Sequence, residues 1–220
     1  MHGSVVNGEV TWAAQRPLAD RFDLVVPNRR GFPPGPEVER VDFDVDAMWL
    51  EQFLQRGTHV VGHSYGGVVA LLAAARRPEL VRSLTVIEPP AFGLVRGQPA
   101  VEEFIERASA LTGDPETYLR AFFRLVGTAE PPGRLNAALL QGARMLMVER
   151  PAWEADVDVA RLAAIPLLTV SGGHSAAFDA VLNALGGERI VLPGAGHSPQ
   201  RLGEPFNEAL ASFVMKQNGA

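Results

Sequence analysis

Three features of the sequence predict an α/β fold with a mainly parallel sheet and an all-helical insertion. Short runs rich in Val, Leu and Ile, without polar alternation, read as strands buried on both faces. Longer stretches with helical periodicity separate them. One stretch, 94–153, holds helical patterns and no strand.

Composition frames this reading. The chain has 220 residues, 47% of them hydrophobic, enough for one well-buried core. Its formal charge is −5 and its 20 Lys and Arg residues are dispersed. The pairs Arg29–Arg30 and Arg76–Arg77 are too short to form a basic stripe, so a nucleic-acid partner has no electrostatic support. The absence of cysteine removes disulfides, thiolate chemistry and cysteine-ligated zinc. The sequence has neither a basic-then-apolar leader nor an apolar run long enough for a bilayer. The expectation is a soluble, cytoplasmic protein with a small-molecule substrate and no membrane partner. Composition leaves the oligomeric state open.

The elements follow in order. Phe22–Pro27 reads as the first strand, and the next helix places Val45, Met48, Trp49 and Phe53 on one face. Thr58–Gly62 is the second strand. It leads into a helix that is apolar nearly all round at Ala70 to Ala75, as expected for a sandwiched element. Leu84–Ile87 is the third strand. Three helical stripes follow: Val101, Phe104, Ile105 and Ala108; Tyr118, Leu119, Phe122 and Phe123; Leu135, Leu139 and Leu146. Asp114-Pro115 and Pro131-Pro132-Gly133 punctuate them. A parallel crossover usually needs one helix, so several in 94–153 read as a lid on a core made of 1–93 and 154–220. Pro166–Val170 and Arg189–Leu192 complete the strands. Leu202, Phe206, Leu210, Phe213 and Val214 stripe the last helix.

The segment Val60-Val61-Gly62-His63-Ser64-Tyr65-Gly66-Gly67 carries the chemistry. Its G-x-S-x-G lies where a buried strand ends and a buried helix begins. A serine on so sharp a turn is strained, and small neighbours relieve the crowding. The turn lifts the Ser64 hydroxyl above the sheet and leaves the Tyr65 N–H free to stabilise an oxyanion. A phosphate-binding turn would need a following Lys or a G-x-G-x-x-G, and neither is present. A serine hydroxyl needs a neighbouring imidazole to take its proton. His197 suits this role, in a loop between the last strand and the last helix, loosened by Gly194 and Gly196. His63 and His59 are expected to pack without catalysing, and His174 to contact the substrate.

Together these segments resemble the α/β-hydrolase family over nearly the whole chain. Gly62 to Gly67 resembles its nucleophile elbow, and Gly194-Ala195-Gly196-His197 its catalytic-histidine loop. His2-Gly3 is similar to its oxyanion-hole element, and Asn28-Arg29-Arg30-Gly31 to the stretch after its fourth strand. The resemblance implies an α/β-hydrolase fold with an oxyanion donor near Ser4. It also implies acyl transfer to water without a metal or organic cofactor, by a Ser64–His197–acid triad. The usual acid position falls in Ser171–Ser175, which has no carboxylate. Some members place the acid one strand earlier, where Glu88 stands, and Ser64, Glu88, His197 keep the chain order of the triad. Asp179 and a Ser–His pair without an acid are the alternatives.

Phe122 and Phe123 are expected to wall the substrate pocket. A small ester is the expected substrate, with a thioester, a lactone or a C–C bond beside a carbonyl open to the same machinery. The rival reading is a non-catalytic small-molecule receptor on this scaffold. In the family, a buried central strand precedes the His-Gly element and lies between the strands assigned here to Phe22–Pro27 and Thr58–Gly62. Only Met1 precedes His2, so the sequence reads as the remainder of a longer natural protein lacking that strand. The alternative is a chain that starts here and repairs the gap.

Overall fold

In the computed structural model, which describes residues 1–219, four parallel strands form one sheet in the order β1-β2-β3-β4. They are β1 (Thr58–His63), β2 (Val81–Ile87), β3 (Leu167–Ser171) and β4 (Glu188–Val191). The helices before the second strand are α1 (Gly8–Thr11), α2 (Phe43–Glu51) and α3 (Tyr65–Arg76). Between β2 and β3 lie α4 (Pro99–Ser109), α5 (Pro115–Leu125), α6 (Ala137–Met147) and the short α7 (Val159–Leu162). Helices α8 (Ala176–Leu185) and α9 (Glu204–Asn218) follow β3 and β4.

Strand β2 lies inside the sheet, whereas the edge strand β4, expected to be buried on both faces, has no buried residue. Six of the seven residues of β2 are buried, and it pairs with β1 on one side and β3 on the other. Helix α3 is buried from Tyr65 through Ala75, so it has no solvent face, matching its all-round apolar sequence. On the other side of the sheet, Phe206, Leu210, Phe213 and Val214 of α9 pack with Ile87, Leu168 and Val170. Helices α5 and α6 pack together and enclose Val5 with Leu119, Leu135, Ala143 and Leu146.

Three further expectations are corrected. Phe22–Pro27 forms no strand, and its Val25 is 64% exposed. A strand needs a neighbour to take its backbone hydrogen bonds. On the side of β1 away from β2, only Met1 supplies such bonds, its N–H donating to the Val61 carbonyl and its carbonyl accepting from His63 N–H. No strand lies beside β1 on that side among the described residues, where the sequence reading places the missing central strand. Helix α2 buries Phe43, Ala47 and Leu50, while its Val45 and Met48, and Phe53 just beyond it, stay exposed. Phe43, Ala47 and Leu50 join the cluster formed by α3, which packs against α2. Leu202 is also exposed, lying in a 3-10 turn (Pro199–Leu202) ahead of α9.

Candidate active site

The turn at Ser64 is as sharp as its glycines demand. Ser64 has φ 53° and ψ −127°, a left-handed backbone that a serine adopts only under constraint. Its N–H donates to the Ile87 carbonyl at 2.8 Å, locking the turn to β2. A Cβ on Gly62 would lie 2.5 Å from the Gly66 carbonyl oxygen. A Cβ on Gly66 would lie 2.1 Å from the His2 carbonyl oxygen. The motif thus fits helix against strand and elbow against the N-terminal segment. Tyr65 opens α3, where an N–H has no intrahelical partner.

Ser64, His197 and Glu88 come together at the C-terminal ends of the strands. His197 Nε2 lies 2.9 Å from Ser64 Oγ, and His197 Nδ1 lies 3.4 Å from Glu88 Oε2. The second contact is longer than the 2.6–3.2 Å of a tight catalytic hydrogen bond, a spacing that often closes only when substrate binds. Glu88 is fully buried, follows β2 directly, and has a positive φ of 48°. Its Oε1 accepts the Gly172 N–H at 2.7 Å. Burial pushes the Glu88 carboxyl up to about 7, against the pull of that N–H. Burial also pushes His197 down to about 3, helped by the neighbouring His174, so the resting imidazole is neutral at pH 7.

The other sequence candidates fall as follows. Asp179 sits on α8 and accepts from Ser171 Oγ at 2.7 Å and from Arg189, out of contact with His197. His174 is absent from the lining of the cavity at Ser64. Its Nε2–H donates to the Val126 carbonyl at 3.1 Å, and its Nδ1 stands 3.6 Å from Glu88 Oε2. Glu88, His174 and His197 place three possible metal ligands within 4.8 Å of one another. A cation there would withdraw Glu88 from His197. Phe122 and Phe123 line the cavity, of about 300 Å³, with Ser4, Ser64 and His197. A larger cleft of about 380 Å³ lies elsewhere, where Arg76 pairs with Asp44 and Arg150 with Glu154.

Two supporting features escaped sequence reasoning. His63 Nε2–H donates to the His197 carbonyl at 2.7 Å, so the variable residue of the elbow holds the histidine loop in place. Arg29, 1% exposed, joins the N-terminal segment to the elbow. It donates to Asp46 at 2.7 Å, Glu149 at 2.9 Å and the Gly3 carbonyl at 3.1 Å, and its guanidinium lies 4.2 Å from the Tyr65 ring centre. Burial opposes its charge, but Asp46 and Glu149 outweigh that and raise its pKa. Glu149 in turn accepts the Ser4 hydroxyl at 2.5 Å. The only sequence signal was the Asn28-to-Gly31 stretch, which carries Arg29 but not its partners.

Comparison with known proteins agrees with this geometry. Residues 1–209 match the family model described as the alpha/beta hydrolase family. The chain is 32% identical over 169 residues to a pimeloyl-(acyl-carrier protein) methyl ester esterase of Methylococcus capsulatus. That alignment covers 73% of this chain and 63% of the relative, so the chain spans less than two thirds of it. It is 29% identical over 245 residues to a 2-(acetamidomethylene)succinate hydrolase of Mesorhizobium japonicum, covering 97% of this chain and 86% of that one. MenH from S. aureus superposes with a TM-score of 0.73 at 16% identity, over 99% of this chain and 92% of its own, a likeness of fold. No described helix is long and apolar enough to cross a membrane.

Proposed function

The chain belongs to the alpha/beta hydrolase family, and from that premise we propose that it is a serine hydrolase cleaving a small ester through an acyl-enzyme. The observation that carries the reading is the 2.9 Å approach of a neutral His197 Nε2 to Ser64 Oγ at the wall of a cavity. The esterase and hydrolase activities named for the relatives support the reaction class.

In the proposed mechanism Ser64 Oγ attacks the ester carbonyl while His197 Nε2 takes its proton. The tetrahedral oxyanion accepts hydrogen bonds from the backbone N–H groups of Tyr65 and Ser4. Collapse breaks the C–O bond, and the departing alkoxide takes the proton from His197. Water then attacks the acyl-enzyme, His197 removing its proton and returning it to Ser64 Oγ as the carboxylic acid leaves. Glu88 holds the Nδ1–H of His197 and balances the imidazolium, with Asp179 kept away by Ser171 and Arg189. Residues 94–153 act as a lid on a core of 1–93 and 154–220, with Phe122 and Phe123 forming its apolar wall. The same steps serve a thioester, a lactone or a C–C bond beside a carbonyl.

Stopped-flow release of 4-nitrophenolate from a short 4-nitrophenyl ester tests this. A burst of about one equivalent per chain, lost in Ser64→Ala, is expected. A folded protein that binds the ester without releasing phenolate would instead be a receptor.

A further inference from the structure

The Ser64 cavity is apolar over much of its wall, yet one side is polar and unsatisfied. Val5, Val6, Val10, Phe122 and Phe123 supply the apolar part. No carboxylate is among the lining residues, and Arg201 is their single Lys or Arg. Arg29, Arg120 and Arg150 each meet carboxylates, whereas no ion pair or hydrogen bond engages the Arg201 side chain among the described residues. Its outer part is open to solvent, and burial of the rest lowers its pKa without a carboxylate to offset it. As an arginine it still keeps its charge.

Beside it in the chain, Gln200 is 0% exposed, and neither its Nε2 nor its Oε1 has a hydrogen-bond partner. Thr11, at the end of α1, is 2% exposed, and its Oγ1 is likewise unpartnered. Buried polar atoms are rarely left without partners, because desolvating them is costly. All three residues line the cavity that holds Ser64 and His197. The turn carrying two of them is held from behind: Gln15 Nε2 donates to the Gln200 carbonyl at 2.7 Å and to Asn207 Oδ1 at 2.9 Å. These bonds fix the Gln200 backbone against α9. The unsatisfied side offers a guanidinium fork, an amide NH₂ and a hydroxyl as donors, beside the accepting Gln200 Oε1. A carboxylate only accepts, and its two oxygens suit planar N–H donors.

Resting on the serine-hydrolase reading, we infer that Arg201, Gln200 and Thr11 form a carboxylate-binding subsite. The substrate is then a monoester of a short dicarboxylic acid, held by its free carboxylate while Ser64 attacks the esterified end. The cavity of about 300 Å³ suits a short chain between the two ends.

Paired substrates read this directly. The mono-4-nitrophenyl esters of adipate and suberate are compared with 4-nitrophenyl hexanoate and octanoate, in the wild type and in Arg201→Met. The wild type is expected to favour the carboxylated esters by about 10- to 100-fold in kcat/KM, as for a charged hydrogen bond. Arg201→Met should collapse that ratio, mainly through KM, because the subsite binds ground and transition states alike. Arg201→Lys should restore part of it, since it returns the charge without the fork. Calorimetric binding of free adipate and suberate gives a readout independent of turnover, and Arg201→Met should lose it. Equal kcat/KM for the two ester classes, with no dicarboxylate binding to the wild type, would overturn the subsite and leave the hydrolase standing. Dicarboxylate binding unchanged in Arg201→Met would also overturn it. Arg201-dependent dicarboxylate binding without hydrolysis of any ester would keep the subsite and remove the hydrolase reading.

Discussion

Replacing Arg29 by methionine should destabilise the protein far more than an ordinary single substitution. The guanidinium lies 2.7 Å from Asp46 and 2.9 Å from Glu149, and all three side chains are buried. Methionine fills much of the volume but leaves two carboxylates in the interior without a counter-charge. Breaking a buried ion pair from one side costs about 3–5 kcal/mol, against about 5–15 kcal/mol for the whole fold. For a chain of this size, each kcal/mol moves the melting temperature by about 2–4 °C, so a fall of roughly 6–20 °C is expected. The loss should also depend on pH. Burial already holds Glu149 above its ordinary pKa with Arg29 in place, and removing the cation raises it further. A carboxyl with a raised folded pKa stabilises the fold most below its unfolded value, and that contribution disappears as pH rises through the folded value. The difference between variant and wild type should therefore be largest near neutral pH and shrink in acid. Adding Asp46→Leu and Glu149→Leu to Arg29→Met should recover part of the stability, since apolar replacement of a complete buried ion cluster is often neutral or better. Melting curves of the three proteins at neutral and acidic pH make the comparison. A shift below about 2 °C for Arg29→Met at neutral pH would refute the reasoning.

Other outcomes follow from the site. Glu88→Gln should lower kcat/KM by about 10²–10⁴-fold while leaving the fold intact, measured on a short 4-nitrophenyl ester; a change under threefold would remove Glu88 from the mechanism. Because burial raises Glu88 to about 7 while His197 titrates far lower, wild-type kcat/KM should fall as pH drops through about 7. An acid limb centred near the ordinary carboxylate range, about 4.3, would contradict that assignment. Gly66→Ala should disrupt the elbow, since its Cβ would meet the His2 carbonyl oxygen at 2.1 Å. Turnover and melting temperature are both expected to fall, and wild-type values for both would show that the contact is soft.

Much of the site was legible because it depends on neighbours in sequence. The turn at Ser64 needs a strand before it, a buried helix after it and glycines on either side, and all of these stand within one short segment. Glu88 was readable for the same reason, as the residue directly after a strand in a chain whose later loop lacks a carboxylate. What sequence could not supply was the neighbour across space. Phe22–Pro27 is as apolar as a strand, but apolarity does not reveal whether a ladder partner exists. Helix α2 offers Phe43, Ala47 and Leu50 on one face and Val45 and Met48 on others, and only contact with the rest of the fold decides between them. His174 sat in the expected loop, yet its ring turns towards Glu88 and the Val126 carbonyl. Gln200 looks like an ordinary surface residue until the fold buries it, with Arg201 beside it at the wall of the Ser64 cavity. The partners of Arg29 come from residues 46 and 149, too distant in sequence for any pattern to connect.

Labelling with a fluorophosphonate, followed by mass-spectrometric mapping of the modified peptide, tests the proposed nucleophile most directly. The reagent phosphonylates a serine activated by a neighbouring imidazole, so the adduct is expected on Ser64, with Ser64→Ala unlabelled and His197→Ala labelled far more slowly. An adduct on any other residue, or none at all in folded wild-type protein, would contradict the account.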